Sequence, residues 1–370
     1  MLGSRKIVSL SGNKFRDDYS LAFDGTDDYI DFGNRLNLGT GDFSISLWVK
    51  APSDWNNTRI LVKKQDVNNR YYLRIDNSNP PVLRLICVIG GVTTISFKGG
   101  STPNLDNLIN QWVHFVISAD RDGVVAGYVN GQLDASPINA IIDATDLDNT
   151  ANLNVAKYDS TYYTQSISEI AYYDKALSSS EVATIYNGRE PFNHKESSFS
   201  GNLTAWWRMG DGSIDRQSVE GGIITDMTKT TYIDWSTDLV TNGRFAGNAD
   251  GWSLGSGWAY DSSNVTCSSA NSNLSQDVSA VAKTVYRVEL NITDYTSGTL
   301  IADIGGSSSI SFPQATGSHV VYMLTVNTND LRFYGGAFRG TVDNIRVLKV
   351  FGTPGVTYNM TPSDFTGDTL

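Results

Sequence analysis

The chain has 370 residues, of which 40% are hydrophobic and 18% charged; this is a globular composition, too long for one ordinary core and suited to two domains. Its net charge of −11 repels phosphate backbones and excludes a nucleic-acid partner, while leaving a neutral glycan free to bind. No stretch approaches the roughly 20 apolar residues of a membrane helix, so helical membrane insertion is excluded.

Residues 1–18 are polar and basic, and read as an N-terminal arm. Their opening, MLGSRKIVSLSGNKF, has no apolar run of signal-peptide length. From Tyr19 the sequence alternates apolar and polar side chains, the period of half-buried strands: SLAFDG, DYIDFG, FSISLWVKA, RILVKK, YYLRI, PVLRLICVIG, TTISFKG, WVHFVISAD and GVVAGYVNGQL. Asn130-Gly131 sits between two such runs and predicts a type I′ hairpin turn. ALSSSEVATIYNG predicts one short helix, with Ser178 and Glu181 at capping-box spacing and Gly188 at its end. LTAWWRM is one more strand, and 213–237 reads as a polar linker.

A second series of strands runs over 238–350: LVTNGRF, GWSL, WAYDS, LSQDVS, YRVELNI, TLIADIGG, HVVYMLTV, LRFYGG and VDNIRVLKV. Residues 351–370 are polar and read as an extended tail. The predicted fold is all-β, two tandem β-sandwich jelly rolls at 19–212 and 238–350. Cys87 and Cys267 fall in different halves and read as small buried residues, so no disulfide is needed.

LAFDGTDDYIDFG, FSISLWVK, WVHFVISAD, YVNGQ, ISEIAYYDKALSSSEVATIYNG and AWWRMGDG resemble the laminin G-like, concanavalin A-like jelly-roll family, over about Tyr19–Gly212. LVTNGRFAGNADGWSLGSGWAY, LSQDVSAVAKTVYRVELNITDYTSGTLIADIGG, LRFYGG and GTVDNIRVLKV resemble carbohydrate-binding modules of families 4 and 9, which have a galactose-binding-like jelly roll. The tandem is similar to proteins encoded by tailed phages and marine bacteria. The resemblance alone supplies fold, and sites need separate argument.

Glycoside hydrolysis needs two carboxyls facing across a cleft. Glucanases of the first fold carry Glu-x-Asp-x-x-Glu on one strand; here Glu169 is followed by Ile170, Ala171, Tyr172 and Tyr173 before Asp174, which does not recreate that motif. His114, His194 and His319 are far apart, with no metal-ligand spacing. No catalytic residue is assigned, and the chain is expected to be no enzyme.

Calcium is the one cofactor candidate, since it takes several carboxylate and carbonyl oxygens. Asp24, Asp27, Asp28 and Asp31 read either as a rim calcium site or as a turn using Asp and Gly for their backbone habits. For the second half, the family resemblance implies a calcium between Asn242-Gly243 and Asp343; Ala246 stands where relatives place an acid, and Arg244 adds a positive charge beside it.

Sugars stack on aromatic rings while polar groups hold their hydroxyls. The candidates are Trp55 and the pair Tyr162-Tyr163 in polar surroundings, then Trp258, Tyr260 and Tyr334 in the second half. Trp48, Trp112, Trp206, Trp207 and Trp252 read as core. Recognition-type domains, no catalytic set and no signal peptide together predict a phage virion structural protein: a capsid decoration, head-fibre or tail-associated protein. It would be assembled in the host cytoplasm as a homo-oligomer among other virion subunits, with glycans as further partners. The alternatives are an extracellular bacterial carbohydrate-binding protein and an atypical glycan hydrolase.

Overall fold

The computed structural model describes residues 15–370 apart from 56, 101–102, 135–137, 140–144, 213–214, 216–221, 269–271 and 336. The described chain is all-β, with one α-helix, Ser179–Tyr186, among short 3₁₀ turns. It forms two sandwiches.

In the first, a nine-stranded antiparallel sheet faces an eight-stranded one. The alternation in FSISLWVK sends Phe43, Ile45, Leu47 and Val49 inward. Their neighbours in the strand Trp112–Ala119 match: Ile45 lies opposite Ile117, Leu47 opposite Phe115, Val49 opposite Val113. The facing sheet answers with Leu61, Leu73 and Leu85 in register across three strands. Cross-strand pairing of this kind makes the core a stack of rows.

The outer face of the nine-stranded sheet is also buried, which simple alternation does not predict. Leu177, Val182, Ile185 and Phe199 lie over Val116, Ala126, Tyr173 and Trp206. The predicted helix supplies two of these residues. Ser178 caps it by accepting from the Glu181 N–H, while the Glu181 carboxylate accepts from the Ser178 N–H (2.8 Å). Asn187 ends it in the left-handed region. The Asn130-Gly131 turn has φ of +50° and +75°, and a β-carbon at Gly131 would meet the Tyr186 ring at 2.7 Å. Under this cover His114 is buried, hydrogen-bonded to Ser46 Oγ (2.8 Å) and packed in a three-ring cluster with Trp48 and Tyr186.

The second sandwich sets a six-stranded sheet against a five-stranded one around Phe245, Trp252, Val288, Leu290, Phe333 and Val342. Its long strands, Val285–Ser297 and Arg339–Phe351, pair along most of their length. Tyr29, Ile223, Val356 and Tyr358 belong to the same apolar cluster, so the two sandwiches share a continuous seam. Tyr29 stacks on Tyr358 (4.7 Å) and its hydroxyl meets Ser308 Oγ (3.3 Å). Cys87 and Cys267 are buried thiols in the first and second core respectively.

Three sequence-based boundaries need correction. The segment 351–370 is no tail: Gly355–Tyr358 pairs with both Tyr29–Asp31 and Ile223–Ile224, and Phe365–Thr366 pairs with Ser20–Asp24. The chain thus returns to close the first sandwich after building the second. The stretch 213–237 is no linker where described, since Ile223–Ile224 and the start of Tyr232–Asp238 are strands of the two sandwiches. In the arm 1–18, of which 1–14 lie outside the described residues, Asp17 is buried. These strands are two to seven residues long, too short for a period to stand out, and their pairing partners lie far away in sequence.

Candidate glycan-binding site

The six aromatic candidates do not converge. Trp55 is a core residue, 2% exposed, with its ring edge-on to Phe115, which corrects its reading as a loop platform. Tyr163 is likewise buried, its hydroxyl accepting from Arg59 (2.5 Å). Its neighbour Tyr162, half-buried, sits on a small hairpin with its ring 6.1 Å from Tyr29. Trp258 is buried against Phe338 and donates to the Ser272 carbonyl (3.1 Å). Tyr260 is half-buried, donating to the Ser262 carbonyl (2.8 Å). Tyr334 lies in the other sheet, its hydroxyl 2.5 Å from Ser309 Oγ. Isolated loop residues were read as exposed because burial depends on what folds over them, which local polarity does not record.

Among the metal candidates, Asp24, Asp27 and Asp28 do gather, with a carboxylate oxygen from each within 4.8 Å of the others. These oxygens could hold a hard cation, but they also shape the turn. Asp24 Oδ1 accepts from the Thr26 N–H (2.6 Å), and Asp28 Oδ2 from the Asp24 N–H (3.0 Å). Burial, then the neighbouring acids, pushes the Asp28 carboxyl up to about 6. Asn242 departs from the ligand role: its amide donates to the Asn248 carbonyl (3.0 Å) and accepts from the Ala246 N–H (3.0 Å). Asp343 accepts from Asn344 Nδ2 (3.1 Å). Gly243 is bound through its carbonyl to the Ile345 N–H.

The exposed ring in a binding position is Trp235, 56% exposed and within the supposed linker. Its strand pairs at Ile233 with Val350 and again at Asp238 with Leu348, so five residues span a gap of two and bulge outward. An Asp234 turn holds the bulge, its carboxylate accepting from the Ser236 N–H (3.0 Å) and hydroxyl (2.5 Å). Next to Trp235, exposed Tyr232 stacks on Phe351 at 4.9 Å.

Beside these rings runs a groove of about 360 Å³ on the outer face of the six-stranded sheet. Its charges form a chain. Arg287 Nε donates to Glu289 Oε1 (2.5 Å), Arg346 donates to Glu289 Oε2 (3.4 Å), and Arg346 Nε donates to Asp238 Oδ2 (3.3 Å). Both guanidiniums approach the Trp235 ring, at 5.4 and 5.8 Å. Tyr322 fixes Arg287 from beneath by accepting at 2.9 Å. These four charges cancel, Arg244 on the same lining adds one positive charge, and the paired donors and acceptors suit hydroxyl groups. The sequence signal was an aromatic among polar residues in YIDWSTD, and it was missed because the segment was assigned no structure.

Glu169, the residue nearest to a glucanase acid, is occupied elsewhere. It sits at a strand bulge with φ +52° and accepts from Trp206 Nε1 (2.5 Å) and Arg208 Nε (2.9 Å). Arg208 also pairs with Asp211 (2.7 Å) and lies 3.9 Å from Asp17. Burial, reinforced by Glu169, pushes the Asp17 carboxyl up to about 10, and burial pushes Asp134 up to about 7. A carboxyl raised in the fold contributes stability below its unfolded pKa and loses it as pH rises. Buried His114 and His194, pushed down to about 3, act oppositely, but their contribution is complete above about 6.5. Stability is therefore expected to fall from pH 6.5 to 8, by at most about 2 kcal/mol per proton. Asp17→Asn should flatten that slope in urea titrations; an unchanged slope would remove Asp17 as its source.

The described geometry can be set beside known proteins. Residues 24–183 match the concanavalin A-like lectin/glucanases superfamily, through a laminin G-type family model. The matched residues lie within the first sandwich and leave out its strands Leu203–Trp207, Ile223–Ile224, Gly355–Tyr358 and Phe365–Thr366. Over 189 residues the chain is 29% identical to botulinum neurotoxin type E of Clostridium butyricum, covering 47% of this chain and 14% of the toxin. The Clostridium botulinum type E toxin gives 28% over the same length. The chain therefore spans about a seventh of the length of these relatives. Among solved structures, a putative carbohydrate binding protein from Bacteroides ovatus is 19% identical over 57% of this chain and 55% of its own, with a TM-score of 0.42. The botulinum neurotoxin serotype D binding domain is 14% identical, covering 88% and 89%, with a TM-score of 0.37.

Proposed function

We propose that the chain is a non-enzymatic recognition protein that holds a glycan against Trp235, and that it works on the outside of a phage-type virus particle. The observation that carries the glycan reading is a bulged, exposed Trp235 beside a groove of self-compensating charges. A sugar C–H face would stack on the indole, while Arg287, Glu289 and Arg346 would meet its hydroxyls. The lectin-like match of the first sandwich supports recognition as the role. The locking of Glu169 by Arg208 and Trp206 leaves it no substrate to protonate, which supports binding without turnover.

Trp235→Ala is expected to lower affinity for a neutral oligosaccharide roughly fivefold to tenfold, the worth of one stacked ring. The melting temperature should stay in place, because the ring is largely exposed. A glycan array followed by titration calorimetry reads both. Equal binding by the variant would sink the groove as the site.

The particle role rests on the resemblance of the tandem to phage-encoded proteins. Its partners would be other virion subunits and copies of this chain in a symmetric homo-oligomer. Co-purification with capsid or tail proteins tests it, and recovery only as a free monomer would remove it.

A further inference from the structure

A second pocket, also of about 360 Å³, opens on the first sandwich between the loop 34–37 and the strand Leu203–Trp207. Leu36, Ala205 and Trp207 form its apolar floor, with Tyr172 on one wall. Arg35 reaches in from the loop, and exposed Lys229 stands at the mouth.

Arg35 is a half-buried cation on which the Asp226 carboxylate acts through space. Among the described residues it has no ion pair, and its Nε is buried with no hydrogen-bond partner. Among the described residues its one hydrogen bond is a long contact to the Asn34 carbonyl (3.5 Å). Burial holds its pKa below the usual guanidinium value. Two acids also line the pocket, yet both are engaged. Asp226 accepts from the Trp206 N–H (3.2 Å), the Thr228 N–H (2.9 Å) and hydroxyl (2.7 Å), and the Thr353 hydroxyl (2.5 Å). Asp174 accepts from Asn202 Nδ2 (2.9 Å).

The loop carrying Arg35 is held in place. Buried Lys63 donates to the Asn34 side chain and to the Arg35 carbonyl (3.1 Å), and the Tyr71 hydroxyl donates to the Leu36 carbonyl (2.8 Å). Leu36 is kept at φ +47°, a conformation that an apolar residue adopts only when its surroundings dictate it. A rigid loop that brings a guanidinium with no direct ion pair among the described residues to a partly apolar cavity leaves its donors open to a carboxylate on a ring.

We propose that this pocket binds the carboxylate of an acidic sugar, Arg35 pairing with the anion, Lys229 closing the mouth, and the sugar's C–H face resting on the apolar floor. The sugar part of this assignment rests on the glycan-binding reading, but the site is separate from the Trp235 groove.

The test is calorimetric titration of the full chain with glucuronate, glucose and inorganic phosphate. Glucuronate is expected to bind saturably and glucose at least about tenfold more weakly, the worth of a charge-assisted hydrogen bond. Arg35→Gln should weaken glucuronate by a similar factor while leaving Trp235-dependent binding of neutral glycans intact. Conversely, Trp235→Ala should leave glucuronate binding intact, so the two sites fail independently. Lys229→Gln, at an exposed position, should weaken glucuronate severalfold even if the Arg35 variant does not fold. Glucuronate binding no better than glucose, or unaffected by both variants, would overturn the proposal. Phosphate binding as tightly as glucuronate would overturn it too, leaving a bare-anion site.

Discussion

Truncation after Val350 is expected to unfold the first sandwich. The lost segment carries Val356, Tyr358, Met360 and Phe365, all buried. At about 1.5–3 kcal/mol each, their burial contributes roughly 6–12 kcal/mol, comparable with the whole stability of about 5–15 kcal/mol of a typical domain. The truncation also strips hydrogen bonds from three strands, because Gly355–Tyr358 lies between Ile223–Ile224 and Tyr29–Asp31, and Phe365–Thr366 borders Ser20–Asp24. Newly exposed strand edges invite association. The expected product is aggregated or melts without a cooperative transition, by circular dichroism and size exclusion. A truncated monomer with the full-length melting temperature would show that this segment is a dispensable tail after all.

Arg208→Gln is expected to be the most damaging single change, costing about 3–5 kcal/mol, because it leaves buried carboxylates without their cation. Arg208 is 10% exposed in its side chain and serves Glu169, Asp211 and Asp17 together, while also donating to the Arg16 carbonyl. The guanidinium thus joins the Asp211 carboxylate, the Ser168 hydroxyl and the Trp206 ring in binding Phe15 to Asp18 to the sandwich, with the Phe15 ring 4.3 Å from it. Glutamine retains donors but no charge, so Glu169 and Asp211 must take up protons or separate, while Asp17 already holds its proton at pH 7. Urea unfolding at pH 7 measures the loss, and the deficit should shrink toward pH 5 as the carboxyls become neutral. A loss below about 1 kcal/mol would mean that the acids were already protonated and that the cation mattered little.

Local rules accounted for much of this architecture. The period-two runs from SLAFDG to GYVNGQL are strands, and Ser178 and Glu181 cap the helix where the spacing put it, while Asn187, one residue before the expected Gly188, ends it. Trp206 and Trp207 are core, as their apolar strands required, and so is Trp252, as the family resemblance implied. The binding candidates fared differently. Trp55 looked accessible from its polar neighbours, yet Phe115 and the first core enclose it. Trp235 looked like linker, yet a bulge in a paired strand displays it beside Arg287 and Arg346.

The sequence by itself determined the all-β class, the two cores, the helix and the hairpin turn, because period, capping and turn chemistry act between residues a few positions apart. Only the tertiary structure decided that the C-terminal strands close the first sandwich, that Tyr29 and Tyr358 meet at the seam, that Trp235 stands exposed beside Arg287 and Arg346, and that Arg35 lines a cavity. Those outcomes depend on which distant segments cover a side chain and which leave it open. Burial of that kind is a property of the assembled sheets, and no run of neighbouring residues encodes it locally.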